Sequence, residues 1–91
     1  MEEYQIDICK KAIDKYGDKQ IIVAMEECAE LIQALSKYLR EASGKSILNI
    51  HEEIADVEIM IQQLKISFCC YYQVENWIEI KTKKLEERMK D

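Results

Sequence analysis

Paired carboxylates are the side chains of this sequence whose types and spacing best support chemistry. Glu27 precedes Glu30, and Glu53 precedes Asp56, by three residues in each case. Residues at i and i+3 project from nearly the same side of an α-helix, one turn apart. Because carboxylates in an apolar interior are costly without a compensating cation, two such pairs facing each other would form an oxygen-lined metal pocket. Oxygen ligands suit Mg²⁺, with Mn²⁺ as an alternative.

The placement of these carboxylates distinguishes them from ordinary surface charges. On the predicted second helix, Glu26 falls on the polar face and Glu30 at its edge, whereas Glu27 lies roughly 100° away at 3.6 residues per turn. On the third helix, Glu53 and Asp56 also lie off the polar face. Helix ends and neighbouring lysines offer an alternative explanation, since negative charge is favourable near a helix N-terminus. The coincidence of two i,i+3 pairs favours the metal pocket.

Composition limits the classes of protein that this chain can belong to. Its 91 residues include no proline and two glycines, which predicts a single, nearly all-helical domain spanning residues 1–91. A net charge of −5 argues against nucleic acid as the main partner. No apolar run is long enough for a membrane span, and the amino terminus lacks the basic start of a secretory signal. The four cysteines form no C-x-x-C pair, so we expect reduced, mostly buried thiols and a cytoplasmic location.

Apolar periodicity predicts four helices, at about residues 2–16, 19–41, 47–70 and 74–90. Gly17 is expected to end the first, Asp18 to cap the second and Ser46 to cap the third. No glycine or proline marks the boundary after Cys70. These elements predict an all-α fold, a four-helix antiparallel bundle with short connections.

Apolar stripes on the predicted helices indicate which sides are buried. On the second helix the stripe consists of Ile21, Met25, Cys28, Ile32, Leu35 and Leu39. On the third it consists of Ile50, Ile54, Val57, Ile61, Leu64 and Phe68, with a second line of Leu48, Ile59 and Ile66 on the other side. On the fourth, the side chains expected to face the core are Val74, Trp77, Ile78, Lys81, Leu85 and Met89. A helix that is apolar on two sides is buried on two sides, which predicts a homo-oligomer.

The acidic motifs resemble those of the MazG-type all-α nucleoside triphosphate pyrophosphohydrolases, which share them with the dimeric dUTPases. The similarity consists of Glu26-Glu27-x-x-Glu30 followed by Glu53-x-x-Asp56. Flanking residues also match, as does a basic ending that resembles the K-[FL]-E-x-R segment of many MazG domains, here Lys84-Leu85-Glu86-Glu87-Arg88. Thr82 stands where many members have asparagine, so the resemblance does not extend to recognition of the base or sugar.

The resemblance implies a metal held by Glu27, Glu30, Glu53 and Asp56, with Glu26 as an outer carboxylate that orients or activates water. It also implies cleavage of a (d)NTP between its α- and β-phosphates, giving a (d)NMP and pyrophosphate, as part of nucleotide-pool house-cleaning. Assembly as a homodimer or homotetramer is implied as well.

The chemistry of a triphosphate is compatible with this site only if a cation mediates binding. A bound divalent ion neutralises the phosphates and lowers the pKa of a bound water, and no nucleophilic cysteine or serine is required. Lys84 and Arg88 form an i,i+4 pair on the fourth helix and are candidates to bind the outgoing phosphates. The alternative for this pair is a solvated basic face.

Three other functions compete with the enzyme. A di-iron bundle requires E-x-x-H on two helices, and this chain has one histidine, His51, which we expect to be exposed. A non-catalytic helical dimerisation or adaptor module would explain the two-sided helix and leave the acidic pairs accidental. A catalytically inactive MazG-like protein that binds nucleotides is intermediate between these two.

Overall fold

The computed structural model describes residues 1–90 of the chain. These residues form four α-helices, α1 (Glu3–Tyr16), α2 (Lys19–Arg40), α3 (Gly44–Ser67) and α4 (Tyr71–Met89), and contain no strand. The predicted all-α class is therefore confirmed. None of the helices in residues 1–90 has the length and apolar character needed to cross a membrane.

Local capping explains the end of α1 and the start of α3, whereas Asp18, the predicted cap of α2, makes no side-chain capping hydrogen bond. Gly17 ends α1 as predicted, with φ 58° and ψ −134°, a conformation that side-chain-bearing residues rarely adopt. The prediction that Ser46 caps α3 was wrong, because Ser43 occupies the cap and its Oγ accepts a hydrogen bond from the Ser46 backbone N–H at 3.1 Å. Ser46 returns the interaction by accepting from the Ser43 N–H at 2.9 Å. This reciprocal capping box starts α3 at Gly44, three residues before the predicted start.

A left-handed cysteine separates α3 from α4. Cys69 has φ 51°, its N–H donates to the Ile66 carbonyl at 3.2 Å, and the Cys70 N–H donates to the Lys65 carbonyl at 3.1 Å. This is the Schellman pattern, which usually places glycine at the left-handed position. Because cysteine takes that position, no glycine marks the turn in the sequence, and α3 ends at Ser67 instead of residue 70.

The α2 and α3 helices pack in opposite directions along a seam of small and polar residues. Gln20, near the start of α2, contacts Gln63, near the end of α3, and Ala24, Ala34 and Met60 are the buried apolar residues of the two helices. The predicted buried stripe of α2 is mostly exposed, including Leu39 at 83%. The helices approach each other along a line lying to one side of that stripe, where two alanines permit close contact.

The α1 and α4 helices are attached very differently. Cys9 of α1 is buried, and its thiol lies 4.0 Å from the Ile59 carbonyl of α3. Within residues 1–90, α4 contacts no helix other than α3 and has no buried residue. At this junction the Lys65 ammonium lies 3.8 Å from the Glu75 carboxylate and 5.4 Å from the centre of the Tyr71 ring. Of the side chains of α4 that were expected to face a core, Val74 is half-buried and the others are exposed in the single chain, Trp77 at 55%.

The environment of the cysteines differs from the prediction. All four are free, but only Cys9 is buried, whereas Cys28 and Cys69 are exposed and Cys70 is half-buried. Cys28 lies on the exposed apolar stripe of α2, and Cys69 lies in the turn after α3, so neither position brings the thiol into a core.

Candidate metal centre

Three carboxylates from two helices meet in the seam between α2 and α3. Glu27, Glu30 and Glu53 each place one carboxylate oxygen so that all three atoms lie within 4.8 Å of one another. The i,i+3 spacing on α2 puts Glu27 and Glu30 on the same side of the helix, and the opposite direction of α3 brings Glu53 against them. Glu27 and Glu53 are half-buried and Glu30 is exposed, so the cluster opens to solvent beside Glu30.

Two oxygens of this cluster are buried without a partner. Within residues 1–90, Glu27 Oε2 and Glu53 Oε2 accept no hydrogen bond. The ion pairs of the described residues are Lys65–Glu75, Lys83–Glu79 and Lys90–Glu87, so no basic side chain compensates the cluster. An unpartnered buried carboxylate oxygen is costly, and a bound ion is one of the few groups that explain it. The cluster therefore fits a hard divalent cation.

The electrostatics of the seam reflect this lack of compensation. Burial is the main cause that raises the pKa of Glu27, followed by the negative charges of Glu30, Asp56 and Glu53. Burial also raises the pKa of Glu53, followed by the charges of Glu30, Asp56 and Glu52. A bound divalent cation would instead lower the pKa of both carboxyls, because it would be the largest local charge.

The remaining predicted acids occupy different positions. Asp56 is exposed and lies outside the group of three oxygens, but its charge contributes to the raised pKa of both Glu27 and Glu53. It is therefore a neighbour of the cluster and not part of the closest set. Glu26 is exposed on the polar face of α2 and does not join the group.

A hydrogen-bonded pair of glutamines, the buried Gln63 and the half-buried Gln20, supports the same seam and was not predicted from the sequence. The Gln20 side-chain amide donates to Gln63 Oε1 at 2.7 Å, and Gln63 Nε2 lies 3.5 Å from the Met60 sulfur. Gln63 is only 5% exposed. Gln63 follows Asp56 and Met60 at helical spacing and therefore lies on the same stripe of α3 as the acids. This position is the sequence feature that could have identified it. The pair fixes the register of α2 against α3, on which the meeting of the acids depends.

The basic pair of α4 is not near the carboxylates in the single chain. Lys84 and Arg88 are exposed and line an open surface groove with Lys81, Lys83 and Glu87. Since α4 makes no contact with α2 and meets α3 beside Lys65, its basic end stands apart from the seam. His51 is exposed, as predicted.

A separate groove of about 540 Å³ lies between α1 and α3. Its lining is largely apolar, including Tyr4, Ile8 and Ile59, with Glu58 as its one carboxylate. The groove therefore offers contact area, and the residues suited to chemistry remain in the α2–α3 seam.

Comparisons of this chain with protein-family models, with curated proteins and with solved structures gave no match. The function is accordingly inferred from the residues of the site.

Proposed function

We propose that this protein is a Mg²⁺-dependent nucleoside triphosphate pyrophosphohydrolase of the MazG-like type, with Mn²⁺ as an alternative metal. It would cleave a (d)NTP to a (d)NMP and pyrophosphate in the cytoplasm, as a nucleotide-pool house-cleaning enzyme. The observation that carries this proposal is the pair of buried, unpartnered oxygens of Glu27 and Glu53, within a group of three carboxylates that no basic side chain among residues 1–90 neutralises.

Glu27, Glu30 and Glu53 would hold the metal, with Asp56 beside them. When bound, the ion neutralises phosphate charge and lowers the pKa of a bound water. The carboxylates would orient the attacking water, and Asp56, which is exposed next to the cluster, would accept its proton as a general base. Glu26 would act from farther out, as the resemblance implies.

The anhydride between the α- and β-phosphates would break as the oxygen of the attacking water bonds to one of its two phosphorus atoms. The bridging oxygen would leave with the other phosphate, and the water proton would pass to the Asp56 carboxylate. Pyrophosphate leaves with increased negative charge, which Lys84 and Arg88 would stabilise by charge-assisted hydrogen bonds. Since these two residues stand apart from the seam in one chain, this role depends on oligomer assembly. We propose a homodimer or homotetramer in which the helices complete an antiparallel bundle, supported by the large apolar side chains exposed on α2, α3 and α4.

The experiment is pyrophosphate release from a panel of dNTPs and NTPs with Mg²⁺ or Mn²⁺. We expect metal-dependent release by the wild type and a loss of at least about 100-fold for Glu53→Gln, because metal-site and positioning residues contribute on this scale. Glu58→Gln is the matched control, since Glu58 is an exposed glutamate of α3 outside the cluster. Circular dichroism would verify that both variants keep their helices.

The non-catalytic dimerisation module is the second candidate, and the exposed apolar faces favour it. It predicts no pyrophosphate from any nucleotide and no rise in thermal midpoint with Mg²⁺ or Mn²⁺. That combination of results would refute the metal-site proposal.

A further inference from the structure

The α2 and α3 helices form an antiparallel hairpin that is joined at one end and open at the other. The connection spans residues 41–43, and Ser46, which is 5% exposed, ties the joined end because its Oγ lies 3.4 Å from the Glu41 carbonyl. The open end is formed by the start of α2 and the end of α3. Two helices joined at one end can move apart at the other unless contacts there prevent it.

A pair of glutamines makes such a contact at the open end. The Gln20 side-chain amide donates to Gln63 Oε1 at 2.7 Å, with Gln63 only 5% exposed and Gln20 half-buried. The buried apolar residues of α2 and α3 in this half of the hairpin are Ala24 and Met60. We call the hydrogen-bonded pair of Gln20 and Gln63 the glutamine clamp.

Stability alone does not explain why the glutamine clamp is polar. Replacing both members of a hydrogen-bonded pair by apolar groups of similar shape is nearly neutral for stability. A hydrogen bond holds its donor and acceptor within a narrow range of distance and angle, whereas apolar contact is non-directional. The best-attested use of buried polar pairs between helices is to fix the position of one helix against the other.

The carboxylate cluster lies between the joined end of the hairpin and the glutamine clamp. Gln20 lies about 30 Å from the last residue of α2, Arg40, at 1.5 Å per residue. Glu27 and Glu30 lie about 20 Å and 15 Å from the same residue. An opening of about 1 Å at the clamp would therefore separate the two helices by about 0.5–0.7 Å at the cluster.

Metal coordination is sensitive to a separation of this size. Distances between a metal and its ligands stay within about 0.2 Å of their preferred values. Because the ligands of the proposed site come from both helices, even a small opening at the clamp would move Glu53 out of coordinating distance from an ion held by Glu27 and Glu30. The clamp is therefore placed where it controls the geometry of the cluster.

We propose that Gln20 and Gln63 are positioning residues of the metal centre. Their hydrogen bond closes the open end of the hairpin and so holds Glu53 against the two acids of α2. Neither glutamine is a ligand, so the effect passes through the backbones of the two helices. The consequence for metal affinity rests on the proposed function, whereas the closing of the hairpin does not depend on it.

Mn²⁺ binding to the full chain tests the effect on the cluster. The electron paramagnetic resonance signal of the free ion would be followed at a temperature at which every variant is folded. Gln63→Leu and Gln20→Leu should each bind Mn²⁺ at least about 10-fold more weakly than the wild type, the scale found for residues that support metal ligands without touching the ion.

The double variant Gln20→Leu/Gln63→Leu separates positioning from stability. It should recover most of the thermal midpoint lost by the single variants, because no buried amide is left without its partner. It should still bind Mn²⁺ about 10-fold more weakly than the wild type, because apolar contact does not fix the distance between the helices. Binding of wild-type strength by the double variant would overturn the positioning role.

Cys9→Ala is the control for a loss of stability outside the seam. Cys9 is 3% exposed, and its thiol lies 4.0 Å from the Ile59 carbonyl, in the contact between α1 and α3. Removing its sulfur should lower the thermal midpoint by leaving a cavity, with Mn²⁺ affinity unchanged. A loss of affinity as large as that of the leucine variants would mean that the packing of α1 holds the hairpin closed, and the proposal would fail.

The distance between two spin labels tests the closing of the hairpin without any metal. Nitroxides attached to non-canonical keto side chains at Lys19 and Phe68, both exposed at the open end, leave the native cysteines unchanged. Dilution with an excess of unlabelled protein restricts the measured distance to one chain. We expect one narrow distribution for the wild type and for Cys9→Ala, and a broader distribution at longer distance for Gln63→Leu and for the double variant.

The label distances and the Mn²⁺ affinities fail in different ways. Identical distance distributions in the wild type and the leucine variants would refute the glutamine clamp, whatever their affinities. A wild type that binds no Mn²⁺ would instead contradict the proposed function, and the label distances would still decide whether the glutamines close the hairpin.

Discussion

Replacing Gln63 with leucine is expected to destabilise the fold because it leaves the side-chain amide of Gln20 without its hydrogen-bond acceptor. Gln63 is 5% exposed and accepts a hydrogen bond from Gln20 at 2.7 Å. Leucine is close to glutamine in volume, so the change removes the acceptor while leaving little empty space. The Gln20 side-chain amide, half-buried in the same seam, would then have lost its partner.

The size of the effect follows from that unpaired group. Leaving a buried donor unsatisfied costs about 1–3 kcal/mol, whereas replacing both partners by apolar groups is nearly neutral. For a domain of this size, 1 kcal/mol corresponds to about 4–8 °C in thermal midpoint. Gln63→Leu should therefore lower the midpoint by roughly 4–24 °C, and Gln20→Leu by at least as much, because it leaves the buried Gln63 Oε1 without its donor. The double variant should recover most of the loss.

The assay is urea unfolding monitored by circular dichroism at one fixed protein concentration, since assembly makes stability concentration-dependent. A double-mutant cycle isolates the coupling between the glutamines, for which we expect about 1–2 kcal/mol. Gln33→Leu, at an exposed glutamine of α2, is the control and should change stability by less than about 0.5 kcal/mol. If the two single substitutions are additive, the reasoning about a buried hydrogen-bonded pair is wrong.

Two further predictions concern the left-handed turns and the acidic seam. Cys69→Gly should raise the free energy of unfolding by about 1 kcal/mol, because glycine adopts the positive φ at position 69 without steric cost, while Gly17→Ala should lower it by about 1–3 kcal/mol. Urea unfolding would measure both, and a change of the same sign in the two variants would contradict the assignment of strain. In metal-free protein at pH 7, Glu27→Gln should raise the thermal midpoint, because the raised pKa of Glu27 means that the folded state binds a proton more tightly than the unfolded chain and is disfavoured once both have ionised. The gain should shrink as the pH falls from the raised pKa of folded Glu27 towards the ordinary glutamate pKa of 4.5 and should be lost below it, so a gain that persists at pH 3.5 would point to another cause.

Much of the secondary structure and of the site could be predicted from local sequence. The absence of proline, the helical periodicity and the glycine at position 17 determine the all-α class and the ends of α1 and α2 to within a residue or so. The i,i+3 spacing also determines that Glu27 and Glu30 share one side of α2. These features depend on contacts within a few residues, which the sequence displays directly.

Two helix boundaries could not be predicted because local signals were ambiguous or missing. Ser43 and Ser46 are both acceptable caps, and only their reciprocal hydrogen bonds decide that α3 starts after the first. Cys69 adopts a positive φ, which is predictable from sequence only where the residue is glycine. In both cases the outcome depends on competing backbone hydrogen bonds.

Only the tertiary structure decided which sides of the helices meet. Periodicity identified the apolar stripe of α2. It did not identify the narrower line through Ala24 and Ala34 that forms the seam, where close approach of the helices favours small side chains over large ones. The approach of Glu53 to Glu30 depends on the register of two helices, which the buried Gln20–Gln63 hydrogen bond helps to set. The position of α4, away from the α2–α3 seam, depends on the turn at Cys69 and on which surface is left for it to cover. Helix formation depends on neighbouring residues and can be predicted from the sequence. The surface on which a helix packs depends on the burial of many side chains that are distant in sequence.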